Sequence, residues 1–269
     1  MHSTRILTSV VLFALVGACQ TNPYTGRKTV NVLSEGEEAS LGEQAYAETK
    51  VKAKGHIITS GAQYDQVQRV AKGIANAADD LARKRGEKPT FQWECILIDS
   101  SEVNAWCLPG GKMGVYTGIL PITQNDAGLA VVLGHEVAHA VSRHGGRRVT
   151  EGMLTEYAQQ VAAAGFSSSS PTTQAALMQA MGVGSQLAVA LPFSRTDESE
   201  ADHVGLILMA AAGYDPKEAP KFWQRMSSKA AGGSPPEFLS THPSDETRIH
   251  NLNQWIPEAE KYYKAGAPR

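Results

Sequence analysis

Apolar residues recur at helical spacing over most of this chain and at strand spacing in only two short places. The stretch from Ser34, SEGEEASLGEQAYAETK, reads as a helix. A capping box opens it, in which Ser34 and Glu37 satisfy each other's orphan backbone donors. A second helix is expected over Gln63 to Arg85, with Val67, Val70, Ile74 and Leu81 on one face. Phe91 to Ile98 (FQWECILI) is rich in aromatic and β-branched residues and reads as a strand, with a neighbouring strand over Lys112 to Thr117 after Pro109-Gly110-Gly111. Thr123 and Asp126 suggest another capping box, for a helix running to His144 and closed by Gly145-Gly146. Further helices are expected over Thr150–Ala164, Thr173–Ala188, Glu198–Ala212, Pro216–Lys229 and Ser244–Lys264. Loops are expected at Ser167–Ser170 and Gly232–Pro236. The pattern predicts a mainly α chain with a small antiparallel β-sheet, an α+β fold.

The N-terminus departs from this pattern. Arg5 precedes an apolar run, Ile6 to Ala18, too short to cross a bilayer as a helix but suited to the core of a signal peptide. It ends in Leu15-Val16-Gly17-Ala18-Cys19, which resembles the bacterial lipobox, whose cysteine is acylated and becomes the new N-terminus. Residues 1–18 are therefore expected to be a lipoprotein signal, 19–33 an extended tether and 34–269 one folded domain. Gln20 is not the aspartate that usually retains bacterial lipoproteins in the inner membrane. By that resemblance the protein sits on the outer membrane of a Gram-negative cell, facing the periplasm.

Composition narrows the function classes. With 269 residues, 42% of them hydrophobic, the chain can bury one sizeable core. A formal net charge of −2 supplies no basic field for nucleic acid, so that partner is not expected. With Cys19 lipidated, Cys95 and Cys107 remain; two buried free thiols are favoured over a disulfide. Neither belongs to a CxxC pair, so a cysteine-ligated zinc site is not expected.

The chemistry concentrates in Val131 to Val141, VVLGHEVAHAV. His135 and His139 stand four apart and so share one helix face, a spacing that lets two imidazoles bind one zinc ion. Glu136 points in a neighbouring direction, where it can reach a water molecule beside the metal. Two histidines and a glutamate in an otherwise apolar helix are costly unless satisfied, which disfavours a solvated face. Catalytic zinc takes three protein ligands, so one is missing. Glu198 and Asp202, also four apart on an expected helix, supply a candidate third ligand and an acceptor to orient a histidine. Glu200 should point away, although it stays open as an alternative ligand. His144 reads as a histidine near the helix C-terminus, favoured there by the dipole.

Together these residues resemble the M48 family of metallopeptidases, of the soluble periplasmic lipoprotein type. The resemblance extends through Asn22-Pro23-Tyr24-Thr25-Gly26-Arg27, Val103 to Gly111, HEVAH, Ser194 to Asp202, and Thr241-His242-Pro243 with Arg248. It implies a gluzincin-like fold with an active-site helix and a glutamate helix, one Zn²⁺ per chain, and Glu136 as general base. It places His242 at the cleft, either steadying the tetrahedral intermediate or capping the zinc in a latent state. Arg248 could brace that loop. Asn104, Gly110 and Gly111 would belong to a substrate edge, with Asn104 bonding the substrate backbone. The implied function is a zinc endopeptidase acting on unfolded or misassembled envelope proteins and bound to the membrane by its lipid. The alternative is an envelope chaperone or assembly factor with a largely latent zinc site.

Overall fold

A computed structural model describes residues 19–153, 193–231, 236–242 and 247–263. The expected signal, the Ser167–Ser170 loop, the Thr173–Ala188 helix and most of the Gly232–Pro236 loop lie outside them. The stretch expected to be an extended tether is instead folded. β1 (Cys19–Thr21) pairs antiparallel with β2 (Lys28–Val30). Between them the Asn22 side-chain oxygen accepts the backbone N–H groups of Tyr24 and Thr25 at 2.8 and 3.3 Å, a turn that asparagine makes readily.

The capping box on Ser34 and Glu37 opens α1 (Glu35–Lys52). α2 (Ala62–Lys84) buries Val67, Val70, Ile74 and Leu81 along one stripe. The main sheet holds β3 (Ile57–Ile58), β4 (Glu94–Ile98), β5 (Ala105–Leu108) and β6 (Lys112–Tyr116) in the order β3-β4-β6-β5. The α+β class holds, but the sheet is mixed: β4 and β6 run parallel. The reason is topological. The chain leaves β4, descends as β5 on the outer edge, and returns through the Pro109–Gly111 turn as β6 between the two. Cys95 and Cys107 both lie opposite Met113, on either side of β6. Two strand spacings put them about 10 Å apart, beyond the roughly 7 Å a disulfide spans, and both thiols are free.

After a 3₁₀ turn and the short α3 (Leu120–Thr123) comes α4 (Asp126–Val141), buried continuously from Gly128 to Ala140. Its cap is Asn125, which accepts the Gly128 N–H, and not Thr123, whose hydroxyl donates to the Leu120 carbonyl. Nor does α4 reach His144. Arg143 takes a left-handed φ of 56°, unusual for a residue with a Cβ. Its guanidinium is held there by Glu38 at 2.7 Å, Gln20 at 2.6 Å and the Leu33 carbonyl at 2.6 Å. A new helix, α5, starts at 144 and is described as far as 153, so Gly145-Gly146 lies inside it.

α6 (Arg195–Ala211) is capped by Ser194 and packs along α4. The crossing is made by glycines. A Cβ on Gly134 would sit 2.8 Å from the Gly205 carbonyl oxygen, and one on Gly205 would sit 2.8 Å from the His135 nitrogen. This backbone-to-backbone approach brings the histidine face of α4 against the acidic face of α6. α7 (Glu218–Ala231), α8 (Glu237–Thr241) and α9 (Arg248–Ala259) close the other side, through Phe222, Trp223, Phe238 and Leu252. No helix among the described residues is long and apolar enough to cross a membrane.

Candidate metal centre

His135 and His139 project from the buried face of α4, and Glu198 meets them from α6. The two Nε2 atoms are 3.1 Å apart. The Glu198 carboxylate lies 3.4 Å from His135 Nε2 and 3.3 Å from His139 Nε2. A tetrahedral zinc with ligand bonds near 2.0–2.1 Å has edges of about 3.3 Å, so these three donors fit the ion. His242, just after α8, places Nδ1 3.2 Å from His135 Nε2 and 3.0 Å from Glu198 Oε1, at the remaining vertex. All four residues are buried.

The electrostatics favour a positive charge at this point. Burial opposes a charge on His135, yet the carboxylates of Glu198 and Asp202 outweigh it and hold the imidazole at about 9. For His139 burial wins and the ring is held well below its ordinary value, leaving a lone pair to donate. Burial would raise Glu198, but the neighbouring histidines dominate and keep it ionised.

A bracing layer surrounds these donors. Asp202 Oδ1 lies 2.9 Å from His135 Nδ1, which turns Nε2 toward the centre. Arg248, at the start of α9, donates to Asp202 at 2.5 Å and to Glu198 at 2.7 Å, with its guanidinium 3.7 Å above the Trp223 ring. It therefore braces the acids of α6. Glu136 is buried, and burial raises its carboxyl above the ordinary range. It receives the Cys107 backbone N–H, and its Oε1 lies 3.4 Å from His242 Nε2. That contact brings the edge strand β5 against the general-base candidate.

The expected substrate-edge residues stand apart from this convergence. The Asn104 amide donates to Glu102 at 2.9 Å and its oxygen accepts the Ala105 N–H at 2.9 Å. Gly110 and Gly111 have φ of 84° and 94° and form the β5–β6 turn. An added Cβ would meet Ala39 at 3.2 Å and Trp93 at 2.8 Å, so their contacts belong to the turn's own packing. A cavity of about 580 Å³ lies between the N-terminal hairpin, α1 and α2, and none of the four converging donors lines it.

A second buried group was not legible in the sequence. Because Arg143 redirects the chain, His144 folds back, with Nδ1 2.9 Å from His139 Nδ1 and Nε2 2.9 Å from Glu200 Oε2. It caps no helix end. Glu200 points away from the centre, as its position on α6 requires, and into this group. There it also meets the Thr25 hydroxyl and Arg27 Nη1, the latter at 2.8 Å. Burial opposes its charge, but the bonds from His144 and Thr25 and the nearby Arg27 hold the carboxyl at about 2. Asp197 is bridged by Arg27, at 2.9 Å, and by Arg147. The stretch Asn22–Arg27, part of the family resemblance, brings Thr25 and Arg27 into this group.

Comparison with known proteins agrees with this geometry. The model of peptidase family M48 matches residues 63–256. The mitochondrial metalloendopeptidase OMA1 of Schizosaccharomyces pombe is 34% identical over 242 residues, covering 88% of this chain and 66% of that protein. The human mitochondrial metalloendopeptidase OMA1 is 31% identical, covering 90% of this chain and 47% of its own. The β-barrel assembly-enhancing protease of Escherichia coli is 25% identical, covering 94% and 52%. The chain thus spans about half to two thirds of the length of the curated relatives it matches. With the match running from α2 into α9 and across every donor of the centre, the chain belongs to peptidase family M48, a family of zinc metallopeptidases.

Proposed function

We propose that this protein is a zinc endopeptidase that cleaves unfolded or misassembled proteins of the cell envelope. One observation carries the reading: His135, His139 and Glu198 set three donors at tetrahedral spacing in a buried pocket, beside a buried Glu136 that is not one of them.

When bound, zinc supplies Lewis acidity toward the scissile carbonyl and lowers the pKa of a neighbouring water. The residues do the rest. Asp202 orients His135, and Arg248 holds Asp202 and Glu198 in register. Glu136, its carboxyl raised by burial, accepts the water proton and passes it to the leaving amine. His242 Nε2 is placed to donate to the developing oxyanion once an extended substrate enters. Such a substrate would add to the outer edge of β5, which no strand among the described residues occupies.

The envelope setting rests on the lipobox-like run ending at Cys19 and on similarity to the β-barrel assembly-enhancing protease. In this reading residues 1–18 are a signal, and acylated Cys19 anchors the domain to the periplasmic face of the outer membrane. A second reading, an assembly factor with a latent site, is favoured by one observation: His242 Nδ1 occupies the fourth vertex.

The deciding experiment incubates casein with the wild type and with Glu136→Gln and follows fragment masses, with zinc content measured on both. Cleavage by the wild type alone, at one zinc per chain, supports the peptidase. Absence of cleavage by the zinc-loaded wild type, with Glu136→Gln keeping its cellular role, would establish the assembly factor instead.

A further inference from the structure

We propose that Glu200 and His144 form a positioning relay that sets the His139 imidazole for zinc, and that Thr25 and Arg27 of the N-terminal hairpin hold this relay in place. The inference rests on the zinc reading above.

A His139 that presents a bare Nε2 to zinc carries its hydrogen on Nδ1, and the atom 2.9 Å from that nitrogen is His144 Nδ1. To accept that hydrogen His144 needs a bare Nδ1, so its own hydrogen sits on Nε2, 2.9 Å from Glu200 Oε2. The Glu200–His144 chain thus matches the Nδ1–H form of His139, whose Nε2 faces His135 and Glu198. The opposite tautomer would aim a hydrogen into the metal position. At His135 the Nδ1 contact is made directly by a carboxylate, Asp202. At His139 it is made by a second imidazole, with the carboxylate one ring further away.

Glu200 needs its own fixing. Thr25 donates to one of its oxygens and Arg27 to the other, while Arg27 also bonds Asp197. His144, Asp197 and Glu200 could by themselves hold a cation, but the Arg27 and Arg147 guanidinium groups already supply positive charge there. Guanidinium thus does in this second group what a metal ion does in the first. Thr25 and Arg27 lie outside the stretch the family model covers, yet they contact a carboxylate two bonds removed from a zinc ligand.

The test uses the full chain, with zinc as the probe. Long-range nitrogen–proton NMR of the zinc-free protein reads the imidazole tautomers, and competition with a chromophoric chelator reads zinc affinity. The wild type is expected to show His139 as the Nδ1–H form. His144→Leu is expected to lose that signature and to bind zinc about 10- to 100-fold more weakly. Arg27→Ala should weaken zinc binding by about 3-fold or more, with Arg27→Lys recovering part of the loss, since a charged hydrogen bond is removed and then partly restored. The Arg27 side chain is 25% exposed, so its variants decide the matter should His144→Leu fail to fold. A purely structural role would lower the melting temperature yet leave tautomer and affinity unchanged, and that result overturns the relay. So does an Nε2–H form in the wild type. A wild type that binds no zinc would sink the zinc reading itself; zinc-binding wild type with unaltered variants would sink only the relay.

Discussion

Two buried groups of histidine and carboxylate lie on opposite sides of the His139 ring, and they resolve the same problem differently. In one, the donor atoms of His135, His139, Glu198 and His242 all lie within 4.8 Å of one another. In the other, His144, Asp197 and Glu200 are interleaved with Arg27 and Arg147. A carboxylate removed from water needs a compensating charge. Where guanidinium supplies it, the group is complete without an ion. Where Arg248 bonds Asp202 and Glu198, the donors of His135, His139, Glu198 and His242 still converge on one point that suits a metal ion.

The contrast can be broken at its strongest point first. Glu136→Gln keeps every donor and removes only the base. Peptide cleavage should fall by about 10²- to 10⁴-fold, measured on an unstructured substrate, with zinc content unchanged. Arg248→Ala removes the charge behind both acids of α6. In the zinc-free protein, denaturant unfolding should show a loss of about 3–5 kcal/mol, as for breaking a buried ion pair. In the zinc-loaded protein the loss should be smaller, because the metal charge remains. Equal losses in the two states would show that Glu198 does not face the ion. Gly205→Val probes the crossing that aligns the two faces. Its Cβ would press on the His135 backbone, and a destabilisation of about 1–3 kcal/mol is expected together with weakened zinc binding. Arg69→Ala, which removes a half-exposed pair with Asp126 at the start of α4, sharpens the comparison from below. It should cost at most about 1 kcal/mol in the same unfolding assay and leave zinc affinity alone.

Much of the centre was legible because helical periodicity turns short spacings into geometry. Two residues four apart share a face, and that sufficed to pair His135 with His139 and Glu198 with Asp202 before any coordinates. The caps at Ser34 and the stripe on α2 were readable for the same local reason. What stayed hidden depends on contacts between distant positions. The bonds from Thr25 and Arg27 to Glu200 span more than 170 residues and follow no period. The parallel β4–β6 pair arises from β5 being placed outside, which alternation within a strand does not encode. Arg143 misled for a related reason. Its left-handed backbone is stabilised by Glu38, Gln20 and Leu33, so a local reading carried α4 three residues too far, to His144 instead of Val141, and misassigned His144.

The glycine contact between α4 and α6 has a bearing on the geometry of the metal centre. Because main chain touches main chain there, the gap across which the ligands reach is not adjustable by rotamer changes alone. The seam therefore fixes the span between the two backbones that carry His135, His139 and Glu198, within which a bound ion would sit.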